Sequence, residues 1–326
     1  MQKKLFSILA LLLMAATGAM AQTTYTVTVK DGTEDAAKWS ADPNPAQAGQ
    51  TVTVTYSGTK KVKSVKAVKK AAAGNPAPTT AAIDAYTGGA FAWEEESGTT
   101  ASDLPMAFAA GNQISILSAK NTNTAFTTSA GGASATFSGT ATDDSKFYAV
   151  YPYTAGLTLS GDVISGVKIP TSQWNSGWNG YSDFSGWDPK APIAYATTTG
   201  SSLTFHNACA ILKVTFPEAY TFGRFTISAN EPLAGTFSLD TSTGTLTPTS
   251  GSTSVSVGTS SWDSTGICTD SGSKTVYVAI APGTYTGFNL HIYNEDGDEK
   301  TKTKGGSVTF EAGKIYDLRS YNLHSL

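Results

Sequence analysis

The stretch LTFHNACAILKVTF, residues 203–216, decides the fold class of this chain. Its first half alternates apolar and polar side chains, which is typical of a half-buried β-strand, whereas residues 208–212 are apolar on both faces. A strand that is apolar on both faces is covered from two sides, so we expect it to lie centrally in a sheet. We expect His206, at its start, to be a hydrogen-bonded structural residue rather than a ligand.

The rest of the chain repeats short strand-like runs between turn residues, and no amphipathic helix of ordinary length interrupts them. Charged residues make up only 14% of the chain, while Thr, Ser, Gly and Ala are abundant, which favours β-sandwiches over a helical enzyme. We therefore predict an all-β protein. Because residues 83–326 are too long for one sandwich, we divide them near Phe216–Pro217 into a first domain, residues 83–216, and a second, residues 217–326.

The N-terminal residues predict export. Lys3 and Lys4 precede an apolar run over residues 5–14, and Ala19-Met20-Ala21 offers a cleavage site, so residues 1–21 have the order of a secretory signal peptide. No later run approaches the length of a transmembrane helix. We expect a secreted protein at the cell surface, associated with the outer membrane or a fimbria.

Two smaller segments separate the signal peptide from the sandwiches. Residues 22–70 contain alternating strands followed by a lysine-rich run, which predicts a small basic β module. Residues 71–82 (AAAGNPAPTTAA) have no periodicity and contain two prolines, which predicts a linker.

The charge of the chain bears on which partners it can bind, and its cysteines bear on whether it forms a disulfide. With 22 basic and 25 acidic side chains, the chain has no overall attraction for nucleic acid. The two cysteines, Cys209 and Cys268, could pair in an oxidising compartment. The alternative, which we favour, is that Cys209 is a small buried hydrophobe within an apolar run.

Several segments resemble the fimbrillins, the pilin-type proteins of Gram-negative anaerobes. Residues 148–170 (YAVYPYTAGLTLSGDVISGVKIP) and the following Gln173 resemble the family's "YP…IP…Q" block, and residues 203–216 resemble its "L…F…N…A…K…F" strand. The other similar segments are residues 111–116 (GNQISI), 135–139 (ATFSG), 235–237 (GTF), 281–285 (APGTY) and 313–316 (GKIY). They occur in the family's order.

The resemblance implies two tandem transthyretin-like β-sandwiches and assembly with other fimbrial subunits or further copies of this chain. In such fimbriae an N-terminal segment is removed by proteolysis, and a terminal strand of the next subunit fills the groove that opens. The residues that would form the donated strand here are Ile315, Tyr316, Leu318, Tyr321 and Leu323. The alternative is that this run is only the last strand of the second sandwich.

The chain departs from the family in its processing signals. It has no lipobox, and its only arginines are Arg224 and Arg319, which excludes the arginine-specific cleavage of the family's best-known members. Lys69 and Lys70 end a basic run between the module and the linker, so they are candidates for the processing site. The alternative, which we prefer, is an edge strand whose lysines block aggregation.

A second candidate site is the aromatic run WNSGWNGYSDFSGW, residues 174–187. Aromatic rings beside Asn and Asp are the usual chemistry of glycan binding. The ligand-binding residues would be Trp174, Trp178, Tyr181, Asp183 and Trp187. The alternative is a long loop that packs its rings on a sandwich.

No pattern predicts catalysis, a metal site or a cofactor. The chain has three histidines and lacks the spacings of zinc, P-loop and serine-hydrolase motifs, so we predict that it is not an enzyme. Residues 294–299 predict a hairpin and residues 94–96 a solvated acidic face. The predicted function is a fimbrial structural or adhesive subunit. The alternatives are a monomeric surface module that binds host or bacterial glycans and, remotely, a glycoside hydrolase.

Overall fold

The computed structural model describes residues 5–7, 24–25, 39–42, 46–47, 53–57, 75–94, 96–173, 186–188, 190–216, 221–258, 267–268, 274–294 and 299–320. Contacts divide the chain into two compact units, Met1–Ala71 and Ala72–Leu326. The described residues form strands, turns and irregular segments and contain no helix, which confirms the all-β prediction.

The first unit contains two small sheets. Its strands are β1 (Leu5–Ser7), β2 (Thr24–Tyr25), β3 (Trp39–Asp42), β4 (Ala46–Gln47) and β5 (Thr53–Tyr56). Strand β5 lies between β1 and β3 and is antiparallel to both, and β2 pairs with β4. Strand β1 falls within the predicted signal peptide, whose removal stays a prediction.

The second unit contains the remaining strands. They are β6 (Thr80–Ile83), β7 (Thr87–Phe91), β8 (Thr99–Thr100), β9 (Gln113–Leu117), β10 (Thr124–Thr128), β11 (Ser134–Ser138), β12 (Phe147–Tyr151), β13 (Thr158–Ser160), β14 (Val163–Ile169), β15 (Ser172–Gln173), β16 (Gly186–Trp187), β17 (Ala194–Thr198), β18 (Ser202–Asn207), β19 (Ala210–Phe216), β20 (Thr221–Ser228), β21 (Ala234–Asp240), β22 (Thr245–Ser252), β23 (Ser254–Gly258), β24 (Ile267–Cys268), β25 (Lys274–Ile280), β26 (Gly283–Asn294), β27 (Glu299–Phe310) and β28 (Lys314–Ser320).

Seven strands of this unit close into a barrel in the order β10-β11-β6-β18-β17-β12-β9. Apolar residues that alternate along these strands fill its interior, where the Phe108 ring packs edge-on against Phe137 and Tyr151. The sequence predicts a sandwich over these residues. In the structure the sheet edges that a sandwich would leave open are joined, because β6 pairs with a strand on each side.

Two further sheets face each other. The front sheet has the order β15-β23-β20-β26-β27, with β24 also paired to β20, and the back sheet has the order β16-β25-β19-β28-β7-β8. Aromatic rings fill the space between them: Phe310 of the front sheet lies 5.9 Å from Phe91 and 4.9 Å from Tyr316 of the back sheet, between ring centroids. A separate sheet, β13-β14-β21-β22, links the barrel region to the later strands.

The run over residues 203–216 is two strands, not one. Strand β18 belongs to the barrel and shows strict alternation of buried and exposed side chains. After a break at Ala208 and Cys209, β19 enters the back sheet between β25 and β28, with its apolar residues buried on both faces. The predicted central strand is therefore confirmed for β19. The break falls where the alternation stops, so the run connects the barrel to the back sheet.

The structure bears on two predicted boundaries, the end of the linker and the division between the two sandwiches. Residues 80–82, predicted to end a linker, belong to β6, and Asn75 already pairs with Asp144 through both backbone groups. The division near Phe216–Pro217 stays a prediction. Strands from both sides of it pair with each other: β19 pairs with β25, and β7 pairs with β28.

Candidate assembly and binding surfaces

The predicted assembly strand lies in the middle of the back sheet. Strand β28 runs parallel to β19 on one side and to β7 on the other. Ile315, Tyr316 and Leu318 are buried in this chain's own core. Tyr321 and Leu323 lie outside the described residues. The role of this end in assembly stays a prediction, and the described part of it would have to leave two neighbours before it could be donated.

The predicted aromatic glycan site lies mostly outside the described residues, including Trp174, Trp178, Tyr181 and Asp183. Of the strands that flank it, β15 runs parallel to β23 of the front sheet, and β16, which contains Trp187, runs parallel to β25 of the back sheet. The segment therefore begins at one sheet and ends at the other. Lys69 and Lys70, the predicted processing site, also lie outside the described residues.

The contacts of the Gln173 side chain could not be inferred from the sequence segment in which it lies. Its side chain is 2% exposed, and its Nε2 donates to the Ala279 carbonyl at 2.7 Å, while the Ala279 amide donates to its Oε1 at 2.9 Å. The side-chain amide thus pairs with β25 as another strand would. Because Gln173 belongs to β15, this pair of hydrogen bonds ties the edge of the front sheet to the back sheet.

Strand β6 closes the barrel between β11 and β18. It is antiparallel to β11, with Ala81 opposite Ala135, and parallel to β18, with Thr80 opposite Ser202. Ala81 and Ile83 point into the barrel and are buried, whereas Thr80 is exposed. The contribution of β6 to the barrel interior comes from Ala81 and the larger Ile83. Without β6, the barrel would have an open slot between the edges of β11 and β18.

A polar cluster holds the chain just before β6. The Asp144 carboxylate, which is 5% exposed, accepts hydrogen bonds from the backbone amides of Ser145 at 2.7 Å and Lys120 at 2.9 Å. Burial alone would raise the pKa of Asp144, but these amides, the Ser118 hydroxyl and the Lys120 ammonium lower it below the usual value. The charged carboxylate therefore stabilises the loop that pairs with Asn75.

The acidic run over residues 94–96 takes part in an ion-pair cluster with strand β27. Lys304 Nζ lies 2.8 Å from Glu94 Oε1, Lys302 pairs with Glu96, and Arg319 Nη1 lies 3.8 Å from Glu96 Oε2. The Glu94 side chain is 58% exposed, as expected of the predicted solvated face, and the Glu96 side chain is 33% exposed, whereas the ion pairs themselves were not predicted. The lysines that neutralise them alternate along β27 more than 200 positions later, so no local pattern could reveal the pairing.

The described histidines have structural partners. His206 Nδ1 lies 2.7 Å from Asp84 Oδ2, which confirms the predicted hydrogen-bonded role. His291 Nε2 lies 2.8 Å from the Ser228 hydroxyl, and its Nδ1 lies 2.6 Å from Glu299 Oε1. Strands β26 and β27 pair antiparallel across residues 295–298, as the predicted hairpin requires.

Cys209 is a free, fully buried thiol, as favoured from the sequence. Its Sγ accepts a hydrogen bond from the Ile193 amide at 3.3 Å, and burial raises the pKa of the thiol to about 12. The side chain of Cys268 lies outside the described residues.

The fold and these surfaces define an all-β protein built from paired strands. Within the described ranges no cluster of three metal-ligating side chains occurs. The same ranges contain no helix with the length and apolar character needed to cross a membrane.

Comparison with known proteins adds solved structures of low similarity. No family model and no curated protein matches the chain. A "putative cell adhesion protein" from Bacteroides uniformis is 17% identical, with a TM-score of 0.44, over 66% of this chain and 88% of its own. A second protein of that name, from Bacteroides ovatus, is 15% identical, with a TM-score of 0.42, over 75% of this chain and 91% of its own. A fimbrial protein from Bacteroides ovatus is 12% identical, with a TM-score of 0.34, over 76% of this chain and 50% of its own.

Proposed function

We propose that this chain is an exported, fimbrillin-like subunit of a cell-surface fimbria, that it acts in adhesion, and that it joins other subunits by strand exchange. The observation that carries the proposal is the position of β6, a four-residue strand that begins the second unit and pairs on both sides within the barrel. A short strand between two longer ones is suited to replacement by a strand from another subunit.

The fimbrillin-like segments support the proposal because each coincides with a strand or a strand end. The "YP" and "IP" pairs fall at the ends of β12 and β14, and the Tyr151–Pro152 peptide bond is cis. The Gln that completes the block is Gln173, whose amide joins the two facing sheets. The block therefore coincides with features that position strands, not with a catalytic cluster.

The slot that β6 fills sets requirements for the incoming strand. It must present apolar side chains at alternate positions, because Ala81 and Ile83 do so now. Tyr321 and Leu323 alternate in this way at the C-terminal end of the sequence, beyond β28. We propose them as the donated side chains, with Ile315, Tyr316 and Leu318 retained in the back sheet of their own subunit.

Processing at Lys69 or Lys70 would not by itself open the slot, because β6 would stay attached to the second unit. We therefore propose that the segment through Ile83 must be cut or displaced before exchange. The test is one protease recognition sequence placed either between Ile83 and Asp84 or, as the control, between Ala73 and Gly74. Cleavage at the first site should give filaments in negative-stain electron microscopy, and cleavage at the second should leave monomers.

Monomers after both cleavages would refute strand exchange through β6. The fimbrial role itself is tested separately, by immunogold labelling of native cells with an antibody to this chain. Label along filaments is expected, and N-terminal sequencing of the labelled protein gives the processing site. Diffuse label would instead favour a monomeric surface module that binds glycans.

A further inference from the structure

A cleft of about 380 Å³ opens at the side of the second unit, where the end of β27 meets β7 and β28. Gly88, Gly89 and Ala90 of β7 line one side, and the other includes Glu311, in the turn after β27, and Lys314, the first residue of β28. None of the described residues that line the cleft belongs to β6.

Two glycines keep one wall of the cleft free of side chains. A Cβ atom at Gly88 would lie 1.9 Å from the Ala101 carbonyl oxygen, and one at Gly89 would lie 2.4 Å from the Tyr316 ring. Neither position accepts a larger residue without movement of its neighbours. The peptide groups of this wall already have partners, since the Gly88 amide donates to Asp103 Oδ1 at 2.8 Å and the Gly89 carbonyl accepts from the Ala101 amide at 3.1 Å, so hydrogen bonds to a ligand would come from side chains of the cleft.

The turn is held in one conformation by its own hydrogen bonds. The Glu311 amide donates to the Tyr316 hydroxyl at 2.9 Å, and the Lys314 amide donates to the Glu311 carbonyl at 3.3 Å. These bonds use the backbone of the turn and leave both charged side chains available to the cleft. Tyr316 itself is anchored against Phe310, so the turn is preorganised.

The two charges of the turn differ from others on these strands. Lys213 pairs with Asp317 at 2.8 Å and Lys304 with Glu94 at 2.8 Å, whereas the Glu311 carboxylate and the Lys314 ammonium form no ion pair or side-chain hydrogen bond with another described residue. A lone carboxylate and a lone ammonium thus line the same cleft, with no net charge between them.

We propose that this cleft binds one sugar ring of a neutral glycan. Sugar hydroxyls both donate and accept hydrogen bonds, so one ring can donate to Glu311 and accept from Lys314. An anionic or cationic ligand would satisfy one of these charges and be repelled by the other. An apolar ligand would remove water from both charged groups without replacing the hydrogen bonds that they lose. The volume lies within the range of small-molecule sites.

The proposal does not depend on fimbrial assembly, because all of the lining residues belong to one chain. The test is saturation-transfer NMR of the full chain with the methyl glycosides of glucose, galactose, mannose, xylose and N-acetylglucosamine. At least one should bind with a Kd on the order of 1 mM. Glu311→Gln and Lys314→Met should each weaken it about tenfold, since each removes a charged hydrogen bond. Ala90→Leu, which narrows the cleft from an exposed position, should abolish it.

Matched controls are Asp143→Asn and Lys168→Met, which remove exposed charges elsewhere in the second unit and should leave binding unchanged. Circular dichroism checks that each variant is folded. The proposal is overturned if no glycoside binds at about 10 mM, or if binding survives all three cleft substitutions. It is equally overturned if Trp174→Ala or Trp178→Ala removes binding while the cleft variants retain it, because the aromatic run is then the site.

Discussion

The ammonium of Lys302 lies over the Trp93 ring, 5.0 Å from the ring centroid, and also pairs with Glu96. Trp93 is buried, and its indole Nε1 donates to the Leu318 carbonyl at 3.1 Å. Arg319 adds a hydrogen bond to the Ser97 carbonyl. The segment that follows β7 therefore binds both the hairpin of β26 and β27 and the end of β28.

We expect Glu96→Gln to lower the free energy of unfolding by about 1 kcal/mol, because it removes the anion shared by Lys302 and Arg319. Both side chains of the Lys302–Glu96 pair are about one third exposed, at 30% and 33%, so the loss should shrink in about 1 M salt. Urea unfolding at low and high salt measures it, with Asp143→Asn as the control. An equal loss at both salt concentrations would show that the effect is not electrostatic.

Gln173→Ala should destabilise the second unit by about 2–3 kcal/mol. The substitution leaves the buried amide and carbonyl of Ala279 without partners, and each orphaned group is penalised. Gln113→Ala is the control, because the Gln113 side chain is exposed and makes one hydrogen bond, to Thr127. Denaturant unfolding compares the two variants. A loss at position 173 no larger than that at position 113 would mean that water replaces the side-chain amide.

Asp144 should contribute to the acid sensitivity of the barrel. Its pKa in the folded protein is lower than its usual value of 3.8, so its stabilising effect is complete well above that value. The effect is lost as the pH falls below about 4 and through the folded pKa. Asp144→Asn should therefore lower stability at neutral pH and flatten its fall in acid. Unfolding curves from neutral pH to about pH 3 measure this, and a wild-type slope in the variant would contradict it.

Cys209 should resist alkylation in the folded protein. The thiol is fully buried, and its pKa of about 12 leaves almost no thiolate at about pH 8. In a Cys268→Ser background, iodoacetamide should label Cys209 only as fast as the protein unfolds. Because the folded pKa lies above the usual 9.0, the stabilising effect of the protonated thiol is lost as the pH rises from about 9 toward 12. Rapid labelling under native conditions would place the thiol in a more open site.

Local periodicity was enough to predict the fold class. In β18 the alternation of apolar and polar residues matches the alternation of buried and exposed side chains, and in β19 the apolar run matches burial on both faces. Both patterns depend only on neighbours along the chain. The hairpin of β26 and β27 was also predictable, because Asp296-Gly297 lies between its two strands.

Pairing between distant segments was not predictable. Strand β6 has no alternation that separates Thr80, Ala81 and Ala82 from a linker, and its strand character depends on β11 and β18. The partners of Glu94 and Glu96 and the hydrogen bonds of Gln173 likewise depend on residues far along the chain. The cleft at Glu311 and Lys314 has the same origin, because its glycine wall comes from β7.

The parallel pairs of this fold also set the order in which it can be completed. Thr80 begins the first strand of the barrel, yet its partner Ser202 is synthesised long after it, and Thr87 pairs with Lys314 near the end of the described chain. One side of each early strand stays unpaired until these late partners are made, because only the other side can pair early, with β11 or β8, so folding of the second unit is delayed by its contact order. Segments made early in this fold therefore stay open to other partners for longer than in a fold built from neighbouring hairpins.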